Sequence, residues 1–97
     1  MRVQGDPNKL ITTVAVGFGN MGFVTDAIAA NNADAGIFGE LDEFSFIAAR
    51  EAGLPIIETT HLVSESIRFH GVVDAMKDTL PDMKIEFLEV PFAHKWV

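Results

Sequence analysis

A histidine and a glutamate four residues apart, His61 and Glu65, are the side chains best suited to chemistry in this sequence. At this spacing both lie on one face of a helix, so an imidazole nitrogen and a carboxylate oxygen can approach the same point. Both groups are ligands of divalent transition metals. Two side chains do not complete such a site, and the nearest acidic candidates for further ligands are Glu40, Asp42 and Glu58.

A glycine-rich loop is the second feature with chemical potential. Gly17, Gly19 and Gly22 have the spacing of a dinucleotide fingerprint, and Asn20 lies between them. Glu40 ends the next apolar run, where folds of that kind place an acid that binds a ribose. Small residues also serve any tight turn from a strand into a helix. The pattern therefore predicts either a nucleotide-binding loop or a structural turn that can hold an anion.

The elements that must position these residues alternate between strands and helices. Apolar, β-branched or alternating runs predict strands over 10–16, 35–38, 55–59 and 84–90. Periodic apolar side chains and capping residues predict helices over 23–31, 43–52 and 62–80. This order implies crossover connections, so we expect an α/β fold. We expect a single three-layer domain over residues 1–97, with a mostly parallel sheet and helices on both faces. The glycine loop, Glu40 and His61 should then meet at the carboxyl edge of the sheet.

Composition limits the classes of function. The chain has 97 residues, a formal net charge of −7 and no cysteine. The lack of cysteine excludes disulfides, thiolate ligands and cysteine nucleophiles, and the acidic balance argues against nucleic-acid partners. No apolar run approaches the ~20 residues of a membrane span, and residues 1–7 lack the apolar core of a signal peptide. We therefore expect a cytoplasmic globular protein without a membrane partner.

Four stretches, in this order, carry a family resemblance. They are Gly5-Asp6-Pro7 leading to Val14-Ala15-Val16, then Ala33-Asp34-Ala35-Gly36-Ile37-Phe38-Gly39-Glu40, then Glu51-Ala52-Gly53-Leu54, and finally His61-Leu62-Val63-Ser64-Glu65. Together they resemble the C-terminal part of the NIF-three-like family, dinuclear-metal proteins described as GTP cyclohydrolase I type 2. The last stretch resembles the His-x-x-Ser/Thr-Glu metal motif of that family and is the specific part. The resemblance implies that His61 and Glu65 are metal ligands, and it implies an α/β fold in an oligomeric, ring-like assembly.

The sequence also departs from that family. The family's remaining ligands, a His pair and an Asp, come from an N-terminal half that has no counterpart here. Phe18, Asn20 and Met21 occupy loop positions where small residues are usual. Glu40 replaces an Asp, and Phe44 stands where a His commonly follows. These departures argue against a complete two-metal centre within one chain.

The features support three hypotheses about function. The first is a short NIF-three-like protein that forms a homo-oligomer and holds a divalent ion of the zinc, iron or manganese class at a partial site of His61 and Glu65. In that case the chemistry is metal-assisted hydrolysis, similar to that of a GTP cyclohydrolase. The second is a non-catalytic regulatory or interaction domain that keeps the fold. The third is a small nucleotide-binding module that takes a small-molecule ligand at loop 17–22.

Overall fold

The computed structural model describes residues 1–21 and 32–91, and it shows an α/β fold built on a mixed sheet. The strands are β1 (Arg2–Gln4), β2 (Val14–Val16), β3 (Ala35–Phe38) and β4 (Ile56–Glu58). Their order across the sheet is β1-β4-β3-β2. β2 pairs with β3 and β3 with β4 in parallel, whereas β1 runs antiparallel to β4. Gly22 and the helix predicted over 23–31 lie outside the described residues.

Two helices are placed close to where the sequence predicts them. α1 spans Glu43–Glu51 and α2 spans His61–Thr79. The predicted cap of α1 is confirmed, because the Asp42 carboxylate accepts a hydrogen bond of 2.8 Å from the backbone N–H of Ser45. Gly53 follows α1 with a φ of +63°, a conformation that favours glycine after a helix. Neither of the two described helices is long and apolar enough to cross a membrane.

The strand predicted over 84–90 is wrong, because these residues form no strand. The segment instead runs beside α2, where the Phe87 ring lies 4.3 Å from the His70 ring and Glu89 approaches the same imidazole at 3.7 Å. An alternating pattern predicts one buried face but not the kind of element that buries it. Here the half-buried side, which includes Phe87, meets a helix, and no ladder of backbone hydrogen bonds forms.

The core lies on the face of the sheet that α1 covers. Side chains alternate along a strand, so this face collects Phe38 from β3 and Ile56 from β4, both fully buried. Ala49 of α1 packs against them, joined by Leu41 and Leu54 from the flanking loops. The strand that carries the core, β4, ends three residues before His61. Core packing therefore fixes the position of β4, the strand that leads into the candidate site.

The opposite face of the sheet is apolar and open. The strand register aligns Val3, Ile57, Ile37 and Val16 in one row across all the described strands. Val3 remains 65% exposed and Val16 60% exposed. Exposed apolar area of this kind normally marks an interaction surface. We refer to these four residues as the open row.

Candidate metal centre

A sharp turn between β4 and α2 presents His61 as the first residue of the helix. Thr60 forms this turn with a φ of +90°, a conformation that a β-branched residue rarely adopts. Its N–H donates to the Gly39 carbonyl at 2.7 Å, and its own carbonyl accepts from the N–H of Ser64 at 3.2 Å. These bonds hold the turn in place, and the four-residue spacing of His61 and Glu65 puts both on the same side of the first turns of α2.

The His61 ring lies between two carboxylates. Its Nδ1 is 2.9 Å from Glu40 Oε2, and its Nε2 is 3.3 Å from Glu65 Oε1. All three side chains are about half exposed, so solvent reaches the cluster. The hydrogen bond to Glu40 raises the pKa of His61, and the negative charge of Glu65 adds to this effect. The two ring nitrogens therefore face different acidic partners.

The glycine loop is tied to the same cluster. The N–H of Gly19 donates to Ser64 Oγ at 3.0 Å, and Ser64 Oγ donates to the His61 carbonyl at 2.8 Å. Gly19 has a φ of +68°, and a side chain there would come within 3.0 Å of Glu65 Oε1. The backbone N–H of Glu40 donates to the Gly19 carbonyl at 2.8 Å. The loop, Glu40 and His61 thus meet at the carboxyl edge of the sheet, as the sequence predicts.

The described part of the loop extends the sheet, and the N–H groups of residues 17, 19 and 21 already have acceptors within the protein. Gly17 donates to the Ile37 carbonyl and Met21 to the Glu40 carbonyl, each at 3.0 Å. Asn20 pairs with Glu40 as an isolated parallel bridge. A phosphate-binding loop needs free N–H groups directed at the ligand. The described part of the loop directs the N–H groups of residues 17, 19 and 21 at the protein instead.

Two of the acidic candidates for further ligands have other partners. Glu58 is only 5% exposed and forms a bidentate ion pair with Arg2. In this pair the Arg2 Nε donates to Glu58 Oε2, and Nη2 donates to Oε1 at 2.6 Å. The Leu41 N–H also donates to Glu58, and the Arg2 hydrogen bonds lower the pKa of this carboxyl. Asp42 caps α1. No sequence signal links Arg2 to Glu58, because the short strand β1 has no detectable periodicity.

The donor set of His61 and Glu65 fits a divalent metal ion. Two atoms bound to one tetrahedral ion at ~2.0–2.2 Å lie ~3.3–3.6 Å apart. Nε2 of His61 and Oε1 of Glu65 have this separation. The described residues contain no group of three His, Cys, Asp or Glu side chains placed around one point. Glu40 does not join the pair as a third ligand, since it lies against the other nitrogen of the ring.

Comparison with known protein families gives a match over nearly the whole chain. The sequence model of Duf34/NIF3 (NGG1p interacting factor 3) matches residues 1–95. No curated protein and no solved structure matches the chain. The match spans the glycine loop, Glu40, and the His61 and Glu65 pair.

Proposed function

Because the chain belongs to the Duf34/NIF3 family, we propose that it is a metal-binding protein in which His61 and Glu65 hold a divalent ion of the zinc, iron or manganese class. The observation that carries the proposal is the 3.3 Å separation between His61 Nε2 and Glu65 Oε1. Imidazole and carboxylate together suit these metals better than they suit calcium or magnesium, which prefer oxygen ligands alone. The spacing on the helix and the fold thus support the same site.

The chemistry we propose for this site is hydrolysis of the GTP cyclohydrolase kind. A divalent ion supplies a water molecule of lowered pKa when it is bound. His61 and Glu65 would hold the ion, and their partial exposure leaves room for a substrate and for further ligands. Ser64 restrains the glycine loop beside them through its bond to Gly19. The loop therefore lines the approach to the site without binding the ion.

We further propose that the protein acts as a homo-oligomer in the cytoplasm. The described residues bring two ligand groups to one point, and a zinc site needs three or four. A facing protomer would supply the rest. The open row supports association, because an exposed apolar patch on a sheet commonly marks an interaction surface. The same face is where the second helical layer of a three-layer, mostly parallel domain would lie.

Calorimetric titration with zinc tests the metal proposal. Wild-type protein should bind zinc, and His61→Ala should abolish or strongly weaken the binding. His70→Ala is the matched control, since His70 lies on the same helix and near a glutamate, Glu89, but outside the cluster. Equal affinity in wild type and His61→Ala would remove the proposal.

A second candidate is a non-catalytic regulatory or interaction domain. It is favoured by the same shortage of ligands, since the described residues contain no group of three potential ligands around one point. In that case zinc would bind weakly or not at all, and oligomers would form without metal. Sedimentation velocity with and without a chelator separates the two candidates. Dissociation on chelation would favour the metal proposal.

A further inference from the structure

We infer that Glu40 is a positioning residue that holds the proton of the neutral His61 ring on Nδ1 and so leaves Nε2 free to bind a metal beside Glu65. The inference deepens the proposed function and rests on it. Its basis is the contact of 2.9 Å between Glu40 Oε2 and His61 Nδ1. A carboxylate against the outer nitrogen of a metal-binding histidine orients the ring and makes it a stronger ligand.

The geometry assigns the two glutamates different roles. The nitrogens of an imidazole point away from each other across the ring, so one ion cannot be bound by Nε2 and also by a carboxylate at Nδ1. A neutral imidazole carries one N–H, and the other nitrogen offers a lone pair. Both carboxylates are acceptors, but Glu40 lies 2.9 Å from Nδ1 and Glu65 lies 3.3 Å from Nε2, so the closer contact favours the form with the proton on Nδ1. Glu65, at 3.3 Å from Nε2, is then left as the second ligand.

The backbone around Glu40 is held from both sides. Its N–H donates to the Gly19 carbonyl at 2.8 Å, and its carbonyl accepts from the N–H of Met21 at 3.0 Å. His61, in turn, is fixed by its place as the first residue of α2. The contact therefore joins two anchored points, and it does not depend on two free surface side chains meeting by chance. Both side chains are still about half exposed, so the strength of the contact rests on these backbone anchors and not on burial.

The first test is zinc affinity measured by calorimetry for Glu40→Ala. We expect binding to weaken about 10- to 100-fold, the usual cost of losing an orienting partner of a ligand. Glu51→Ala is the matched control, because it removes the same charge from the last residue of α1, far from the cluster. It should bind zinc as the wild type does. Unchanged affinity in Glu40→Ala, with His61→Ala still impaired, would overturn the inference.

The second test reads the tautomer without any metal. Long-range ¹H–¹⁵N spectra of the metal-free protein, recorded above the pKa of the ring, report which nitrogen of His61 carries the proton. The wild type should show Nδ1–H, and Glu40→Ala should move the proton towards Nε2. A wild-type ring protonated on Nε2, or an unchanged spectrum in the variant, would overturn the inference.

Failure of the proposed metal site and failure of the positioning role of Glu40 give different results. Zinc that binds wild type and His61→Ala equally would remove the proposed function, because His61 would not be a ligand. The tautomer spectrum would still decide whether Glu40 holds the ring. Normal zinc binding in Glu40→Ala would remove the positioning role and leave the metal site standing.

Discussion

Single residues set the direction of the His61 ring, and Thr60 has the most unusual conformation among them. Its positive φ places the helix start opposite Gly39 and the glycine loop. Strained backbone of this kind costs on the order of 1–3 kcal/mol and is retained where surrounding structure enforces it. The position directly before a proposed ligand fits that pattern. The strained turn at Thr60 therefore directs His61 across the edge of the sheet.

Replacement of Thr60 by glycine should therefore stabilise the protein. Glycine adopts a positive φ freely, and the lost hydroxyl costs no hydrogen bond, because Thr60 Oγ1 is buried without a partner among the described residues. After the entropic cost of glycine, we expect a gain of roughly 0.5–2 kcal/mol in the free energy of unfolding. Urea denaturation measures it. Thr59→Gly is the control and should destabilise, since Thr59 Oγ1 donates to the Phe38 carbonyl.

The Arg2 and Glu58 pair should make stability depend on acid. The pKa of Glu58 is lower in the folded protein than in the unfolded chain, so the carboxylate stabilises the fold fully above its ordinary, unfolded pKa. The stabilisation by the Glu58 carboxylate is lost as the pH falls through the pKa that this group has in the folded protein. Near neutral pH, Glu58→Gln should lower the free energy of unfolding by roughly 1–3 kcal/mol, the range for losing a buried hydrogen-bonded group. Because Arg2 is half exposed, we expect a value in the lower part of this range.

Urea midpoints across the acid range test this prediction. The difference between wild type and Glu58→Gln should be largest near neutral pH and should shrink below about pH 4. Glu86→Gln is the control, because Glu86 is exposed and paired with Lys84. Curves for wild type and Glu58→Gln that stay parallel at all pH values would show that the ion pair does not stabilise the fold.

At the scale of elements, close approach of backbones holds the site together. A Cβ at Gly39 would collide with the Gly19 backbone and with Ser64 Oγ. Gly39→Ala should therefore push β3 and the loop apart and cost roughly 1–3 kcal/mol. Gly71→Ala is the matched contrast, because Gly71 lies inside α2 with open space around it. It should stabilise by roughly 0.5–1 kcal/mol. Equal effects in thermal denaturation would contradict the account.

Local signals explain which elements the sequence predicts well. The sequence marks both ends of α1, with Asp42 as its cap and Gly53 after its end. His61 and Glu65 lie close together, as their spacing predicts, because both belong to one helix. β1 escapes prediction, since three residues are too few to show a period. Strand 84–90 fails because alternation does not reveal whether a sheet or a helix covers it. The contact between Glu40 and His61 follows from strand order, but the choice of Nδ1 depends on side-chain geometry.

At the scale of the whole molecule, apolar surface remains uncovered. The sequence places Phe69, Val72 and Met76 on α2 at helical spacing, and the structure leaves each of them more than 40% exposed. The open row adds a second such area on the sheet. Folding does not bury these side chains within the described part of the chain, so association is the expected remedy.

A charge placed in the open row should disrupt the proposed oligomer. Wild-type protein should sediment as a species larger than a monomer, and Val16→Glu should shift it towards the monomer because a buried, unpaired carboxylate opposes association. Phe44→Glu is the control, since Phe44 is 81% exposed on α1, across the sheet from the open row. A monomeric wild type at all concentrations would contradict the oligomer proposal.

The most direct test of the central claim is anomalous scattering from zinc-soaked crystals at the zinc edge. The account predicts a peak within ~2.0–2.2 Å of His61 Nε2 and a Glu65 carboxylate oxygen, with Glu40 still against Nδ1. A peak between His61 Nδ1 and Glu40, or no peak near His61, would contradict it.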